Sequence, residues 1–433
     1  MLNSNNINYR RQVNFYRNKA MEKTKFGLIF ILVLVSAISL SCRGEQREVT
    51  TATPEEIVLL TDGMISFSFE YFSEIASLNI GKNVCTSPVS LNTALAMLYS
   101  GARGNTASEM SKTLYFDENL DLFHGQFKTY YNTLKAMEKR ENLDFALANK
   151  IYLEKTYPIL NSFKTTMKKV YGGVFEIVNF REQPEHSERT INRWVEKTTR
   201  NRIKDLIPAG TLDQMTRLVL VNALYINAPW KHQFNENITK KDTFNISPNE
   251  KHNTDFMVKE VDGIRYSEFN GNQVIELPYE VPDISLLIIL PKNSTKDNIH
   301  SFIPTGNEYK TIISDMKPRL VRMEIPKFKI ESDFSLKDVL AEMGMPSVFS
   351  GDADLSGISG STDLEADEVL QKVFFEIDEK GTEAAAATAV IIRLTAMPEP
   401  QAPILFKADR PFIFILRENT YNTPLFVGYI VKP

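Results

Sequence analysis

The chain has 433 residues, 43% of them apolar, 10% aromatic and 24% charged, with 50 basic against 54 acidic side chains and a formal net charge of −4. This is the composition of a core-forming protein, and its length suits two or three domains or one large domain of mixed helix and sheet. The near-neutral balance argues against nucleic acid, two cysteines exclude a disulfide-stapled mini-domain, and the five scattered histidines (His124, His186, His232, His252, His300) offer no metal-ligand spacing.

In chain order, the first feature is an address. Phe26 to Leu40 is an uncharged apolar run of fifteen residues, preceded by Lys23 and Lys25 and followed by Ser41-Cys42. It has the layout of a secretory signal peptide and is short for a membrane span. Met21 directly precedes the basic pair and is an alternative start. Residues up to Cys42 carry +5 of the chain's −4, so the remainder carries −9. Small residues before a lone cysteine resemble a bacterial lipoprotein cleavage box, with Ser39 where leucine is usual; lipidation at Cys42 or an ordinary cleavage nearby are the two readings. Residues 43–54 are polar and suit a tether. From about residue 55 no linker, repeat or low-complexity block interrupts the chain, which reads as one continuous domain.

Cys85 reads as a small buried apolar side chain. Ser87-Pro88 suits a helix start, with serine as cap, and Leu91, Leu95 and Leu98 recur at helical spacing before Gly101. Thr106 and Glu109 have the spacing of a capping box for the next helix. Val274 to Leu290 predicts two strands split by Pro278 and Pro282. Leu320 to Ile330 alternates around Pro326, and Ser335 to Met343 is helical in pattern. Val373 to Ile377, Phe412 to Leu416 and Leu425 to Val431 read as strands, the last two joined by a polar turn. Helices dominate the first half and strands the second, so the fold class is α+β.

The usual catalytic strings are missing. No GxSxG elbow, P-loop or dinucleotide fingerprint occurs, and nothing selects a pair of carboxylates. Instead, more than thirty residues separate the strand ending at Ile377 from the one beginning at Phe412, an uncommon length inside a compact domain and often a functional one. From Thr382 the segment sorts by parity: Thr382, Ala384, Ala386, Thr388, Val390 and Ile392 on one side, Glu383, Ala385, Ala387, Ala389, Ile391 and Arg393 on the other. Every charge falls in the second set, so a strand made here has one face fit for a core. Four consecutive alanines equally suit a helix, and the residues alone leave both readings open.

The string from Glu379 to Ala389, EKGTEAAAATA, resembles the proximal hinge of the reactive-centre loop of serpins. Other serpin-like stretches follow in order: NVCTSPVSLNTALAMLYSGARGNTASEM from Asn83, VNALYINAPWKHQF from Val221, IPKFKIESDFSLKDVLAEMGM from Ile325, ADLSGIS from Ala353 and PLFVGYIVKP at the end. The resemblance covers nearly everything after residue 55. It implies three β-sheets, eight or nine helices and an exposed reactive-centre loop. The implied activity is suicide-substrate inhibition of serine proteases, and of papain-like cysteine proteases as a further class; no catalytic residue, metal or cofactor is implied. The hinge is then Glu379, Gly381, Thr382, Glu383, Ala384, Ala385, Ala386, Ala387 and Thr388, with Gly381 as pivot and the alanines slim enough to slide between strands. Counting along it places the reactive bond at Thr395-Ala396, suited to elastase- or subtilisin-like enzymes; Leu394 would suit a chymotrypsin-like target and Arg393 a trypsin-like one. Ser87, Ser90, Asn222 and Trp230 match residues that control sheet opening. Gln371 departs from the family, which often has histidine there, and so removes a pH-sensitive group. A monomer exported to the cell surface or outer membrane, touching membrane only through a lipid anchor, is expected. A non-inhibitory carrier of the same fold is the alternative, favoured by bulky or charged hinge residues that the inserting face lacks; a hydrolytic surface lipoprotein is disfavoured by the missing nucleophile motifs.

Overall fold

The structure is a computed structural model and describes residues 51–173, 175–382 and 402–433. Phe26–Leu40, Cys42 and most of the tether lie outside the described residues, as do Glu383 to Thr388, Arg393, Leu394, Thr395 and Ala396. Among the described residues, no helix is long and apolar enough to cross a membrane and no acidic, histidine or cysteine cluster could hold a metal ion.

Helix α1 (Pro54–Ser77) opens on a reciprocal cap: the Thr53 hydroxyl accepts from the Glu56 amide, and the Glu56 carboxylate accepts from the Thr53 amide. Strand β1 (Val84–Thr86) leads into α2 (Pro88–Tyr99), all of whose residues are buried. The helix is buried all round and so lies in the core, which its leucine spacing alone did not reveal. Ser87 does not cap it; the hydroxyl donates to the Leu425 carbonyl at 2.8 Å. The Thr106–Glu109 box is likewise absent. Helix α3 (Gly104–Leu114) starts two residues before Thr106, whose hydroxyl accepts from the Asp354 amide, while Glu109 accepts from the Ser347 amide. Long-range partners outcompeted the local cap at both places.

There follow α4 (Leu120–Met137), β2 (Asp144–Glu154), α5 (Asn161–Tyr171), β3 (Phe175–Val178), α6 (Pro184–Thr198) and β4 (Leu218–Pro229). The chain then turns mainly to strands: β5 (Lys240–Ser247), β6 (Glu250–Phe269), β7 (Asn272–Pro278), β8 (Ile284–Leu290), α7 (Gly306–Asp315), β9 (Lys317–Pro326), β10 (Phe328–Ser335), α8 (Lys337–Glu342) and α9 (Ser356–Ser359). Last come β11 (Glu368–Ile377), β12 (Gly381–Thr382), β13 (Ile404–Lys407), β14 (Phe412–Glu418) and β15 (Pro424–Ile430).

A central six-stranded sheet has the order β10-β11-β4-β2-β3, with β12 paired on β4. A nine-stranded sheet has the order β1-β15-β14-β8-β7-β6-β9-β13, with β5 on β6. The resemblance implies three sheets where the hydrogen bonds join two, because the twenty-residue β6 runs through. Its ladder with β9 breaks between Val261 and Ile264, where Gly263 takes a φ of +83°, so the large sheet bends into two halves. β8, β14 and β15 are buried along their whole length, which accounts for their unbroken apolar runs. Phe375 of β11 stacks on Phe414 of β14 with centroids 4.8 Å apart, joining the two sheets, while Ile191 and Val195 of α6 cover Val219 and Val221 on the other face of the central sheet. The central sheet is therefore covered on both sides.

Candidate functional site

The site is the seam between β4 and β11. These strands run parallel and pair from Glu368↔Val219 to Val373↔Leu224. Both continue further, β4 to Pro229 and β11 to Ile377, without pairing with each other. At the mouth the chain reverses: the Asp378 carboxylate accepts from the amides of Lys380 (2.8 Å) and Gly381 (3.1 Å). Gly381 and Thr382 then pair antiparallel with Pro229 and Ala228. The first two residues after the turn are thus a short strand on β4, ahead of the point where β11 joins it.

Gly381 makes a close approach to the neighbouring strand: a Cβ there would lie 2.1 Å from the Ala228 carbonyl oxygen, and its φ is not in the left-handed region. Thr382 is 2% exposed and shares a 2.6 Å hydrogen bond with the Tyr279 hydroxyl. The Tyr279 ring stacks on Trp230 at 4.4 Å and 28°. Trp230 in turn donates from Nε1 to the Asp378 carbonyl (2.9 Å) and from its amide to the Lys380 carbonyl (2.8 Å). Glu379 is buried; its carboxylate accepts from the Thr239 hydroxyl at 2.7 Å and meets Lys327 Nζ at 3.2 Å, and its carbonyl accepts from the Phe234 amide at 2.8 Å. Burial pushes the Glu379 carboxyl up, but Thr239 and Lys327 outweigh it and hold the group below the ordinary glutamate value.

Midway down the seam, Gln371 of β11 faces Asn222 of β4. Its Nε2 donates to Asn222 Oδ1 (2.7 Å) and to the Ser87 carbonyl (3.0 Å), and its Oε1 accepts from the Ser87 amide and the Tyr71 hydroxyl, both at 3.1 Å. Asn222 also donates to the Leu370 carbonyl. All four bonding positions of the Gln371 amide are used, and no group in the cluster ionises near neutral pH. Ser90 stands one step aside: it donates to Asn149 Oδ1 at 2.7 Å and its carbonyl accepts from Asn149 Nδ2. Asn149 of β2 lies opposite Asn222 in the sheet register.

The fold therefore gathers Ser87, Asn222 and Gln371 in one place, Ser90 beside them, and Trp230, Glu379, Gly381 and Thr382 at the mouth. Sequence reading missed Tyr71, Asn149, Tyr279, Thr239 and Lys327. Only Tyr279 left a local trace, a polar-tipped aromatic directly after Pro278 at a strand end.

The sequence matches the family described as "Serpin (serine protease inhibitor)" across residues 62–433. It is 38% identical over 389 residues to a leukocyte elastase inhibitor of Xenopus laevis, covering 86% of this chain and 99% of that protein. A serpin-like protein of Thermococcus kodakarensis is 36% identical over 370 residues, covering 85% of this chain and 84% of its own. Among solved structures, Serpin48 of the insect Tenebrio molitor, a highly specific serpin by its description, matches with a TM-score of 0.75 and 31% identity, over 88% of this chain and 99% of that one.

Proposed function

Because the chain belongs to the serpin family, whose description is serine protease inhibitor, we propose that it inhibits serine proteases as a suicide substrate, by loop cleavage and strand insertion. The protease nucleophile attacks the Thr395 carbonyl, an ester joins Thr395 to the enzyme, and the Thr395–Ala396 amide breaks with the proton passing to the new Ala396 amine. Water would normally release the acyl group. The freed hinge competes with that step by zipping between β4 and β11 and pulling the tethered protease with it.

The observation that carries this reading is the pairing of Gly381 and Thr382 with Pro229 and Ala228, in the gap where β4 and β11 no longer pair. A strand is begun there, and Ala384, Ala386 and Thr388 of the uncharged parity set have the slim profile needed to continue it. About a dozen added residues at roughly 0.5 to 1.5 kcal/mol net per hydrogen bond would supply on the order of 10 kcal/mol, comparable with a domain's stability and enough to distort a catalytic site. Ser87, Ser90, Asn222 and Gln371 act in this scheme as the clasp the incoming strand must part, and Trp230 as the doorpost.

Incubation with elastase-, subtilisin-, chymotrypsin- and trypsin-like proteases tests the proposal. A covalent complex that survives SDS, with release of the peptide from Ala396 to Pro433, is expected; clean turnover without a complex contradicts it. Peptide masses starting at Leu394 or Thr395 would move the bond to Arg393 or Leu394. The run Phe26–Leu40 followed by Cys42 further supports export and lipid anchoring at a bacterial surface. Metabolic labelling with an alkynyl fatty acid, lost in Cys42→Ser, is the expected result; unlabelled wild-type protein contradicts anchoring.

A further inference from the structure

Tyr279 is reached from the opposite sheet to the one the hinge enters. It follows β7 directly, is 1% exposed, and still places its hydroxyl 2.6 Å from Thr382 Oγ1. Its ring is fixed by the stack on Trp230 and by a backbone bridge between the two residues. Trp230 holds the Asp378 and Lys380 carbonyls, so the turn and the first inward side chain of the hinge are gripped by one aromatic pair. Burial pushes the Tyr279 phenol well up, which keeps its O–H available. The cleavage chemistry at Thr395 makes no use of this hydroxyl.

We propose that Tyr279 is a positioning residue for strand insertion: its hydroxyl holds Thr382 in register with Ala228, so that the cleaved loop extends a strand that is already started. The inference rests on the inhibitory reading above. Starting an ordered segment is its unfavourable step, because several dihedrals are fixed before successive bonds reward them. Here the start consists of two residues, one of which is glycine, so Thr382 supplies its only side-chain anchor. Losing one ordinary hydrogen bond from that start changes the rate of insertion by about two- to tenfold. Insertion races hydrolysis of the acyl-enzyme, so a slower start sends more molecules to release as cleaved, inactive protein. Attack on the reactive bond is unaffected, because it precedes insertion.

The test is Tyr279→Phe, which keeps the ring and the stack, assayed with a protease that the wild type traps. The number of inhibitor molecules consumed per trapped protease is expected to rise about two- to tenfold with the rate of loop cleavage unchanged, and amide exchange in the fragment containing residues 379–382 is expected to quicken. Thr382→Val, which removes only the hydroxyl, should reproduce both effects, and the double variant should be no worse than either single one. A lost structural contact alone would lower thermal stability without changing this partition. Unchanged partition in Tyr279→Phe, or additive losses in the double variant, overturns the proposal while the inhibitory reading stands. If the wild type traps no protease, that reading fails, and unchanged exchange at 379–382 then overturns the role of Tyr279 by itself.

Discussion

Two stretches of one seam are held by different chemistry. Between Glu368 and Val373, β11 lies hydrogen-bonded along β4, and the clasp across it is Gln371, Asn222, Ser87 and Tyr71, neutral groups with their donors and acceptors matched. Above Leu224 the strands no longer pair, and the short β12 is held there by an aromatic stack, one shared hydroxyl contact and an ion pair between Glu379 and Lys327. The lower stretch has all four bonding positions of the Gln371 amide filled and must be broken to open; the upper one already holds the beginning of a strand. A sheet closed at its middle and started at its mouth is suited to opening in one direction only.

The change with the largest expected effect attacks the mouth. Thr382→Arg forces an unpaired cation into a site that is 2% exposed, and the number of molecules consumed per trapped protease should rise by more than about tenfold, leaving a substrate in place of an inhibitor. Full trapping by this variant would refute the inward placement of Thr382.

Next comes the middle. Gln371→Leu strands the Ser87 amide, the Tyr71 hydroxyl and the Asn222 carbonyl oxygen, all buried. Each stranded buried group costs about 1–3 kcal/mol, so the unfolding free energy of the intact protein should fall by several kcal/mol and its denaturant midpoint with it. An unchanged midpoint would show that the clasp is not holding the seam.

The smallest effect separates the two stretches by pH. The folded value of Glu379 is depressed, so its contribution is complete above the unfolded value of about 4.3 and disappears as pH falls through the lower folded one. Exchange at residues 379–382 should therefore quicken below about pH 4.3, and Glu379→Gln should remove that acid step. The clasp around Gln371 has no counterpart. Global stability also falls toward acid for another reason: burial lowers His124 from 6.5 to about 4, so the fold favours its neutral form across that range. A local readout at the hinge keeps the two apart.

The sequence was informative where structure follows from neighbouring residues. The apolar runs of β8, β14 and β15 and the leucine spacing of α2 announce elements that the fold contains. It was misleading where a polar side chain finds a distant partner: Ser87 and Thr106 look like caps but bond to Leu425 and Asp354. Reciprocal caps do form at Thr53–Glu56 and Thr305–Glu308, which have the same spacing. Tyr71 meets Gln371 across 300 positions and Tyr279 meets Thr382 across 103, contacts that no local pattern encodes. The resemblance to serpins supplied Ser87, Ser90, Asn222 and Gln371 as a group; the folded chain adds Tyr71 as a partner of Gln371 and Asn149 as the partner of Ser90.

Heating the intact protein and the loop-cleaved protein side by side tests the account most directly. With a begun strand at the mouth and, below it, a seam between β4 and β11 that can part, cleavage should let the loop complete the central sheet, and the cleaved form should melt well above the intact one. Equal or lower melting of the cleaved form would mean that no strand enters, and the inhibitory mechanism would fall with it.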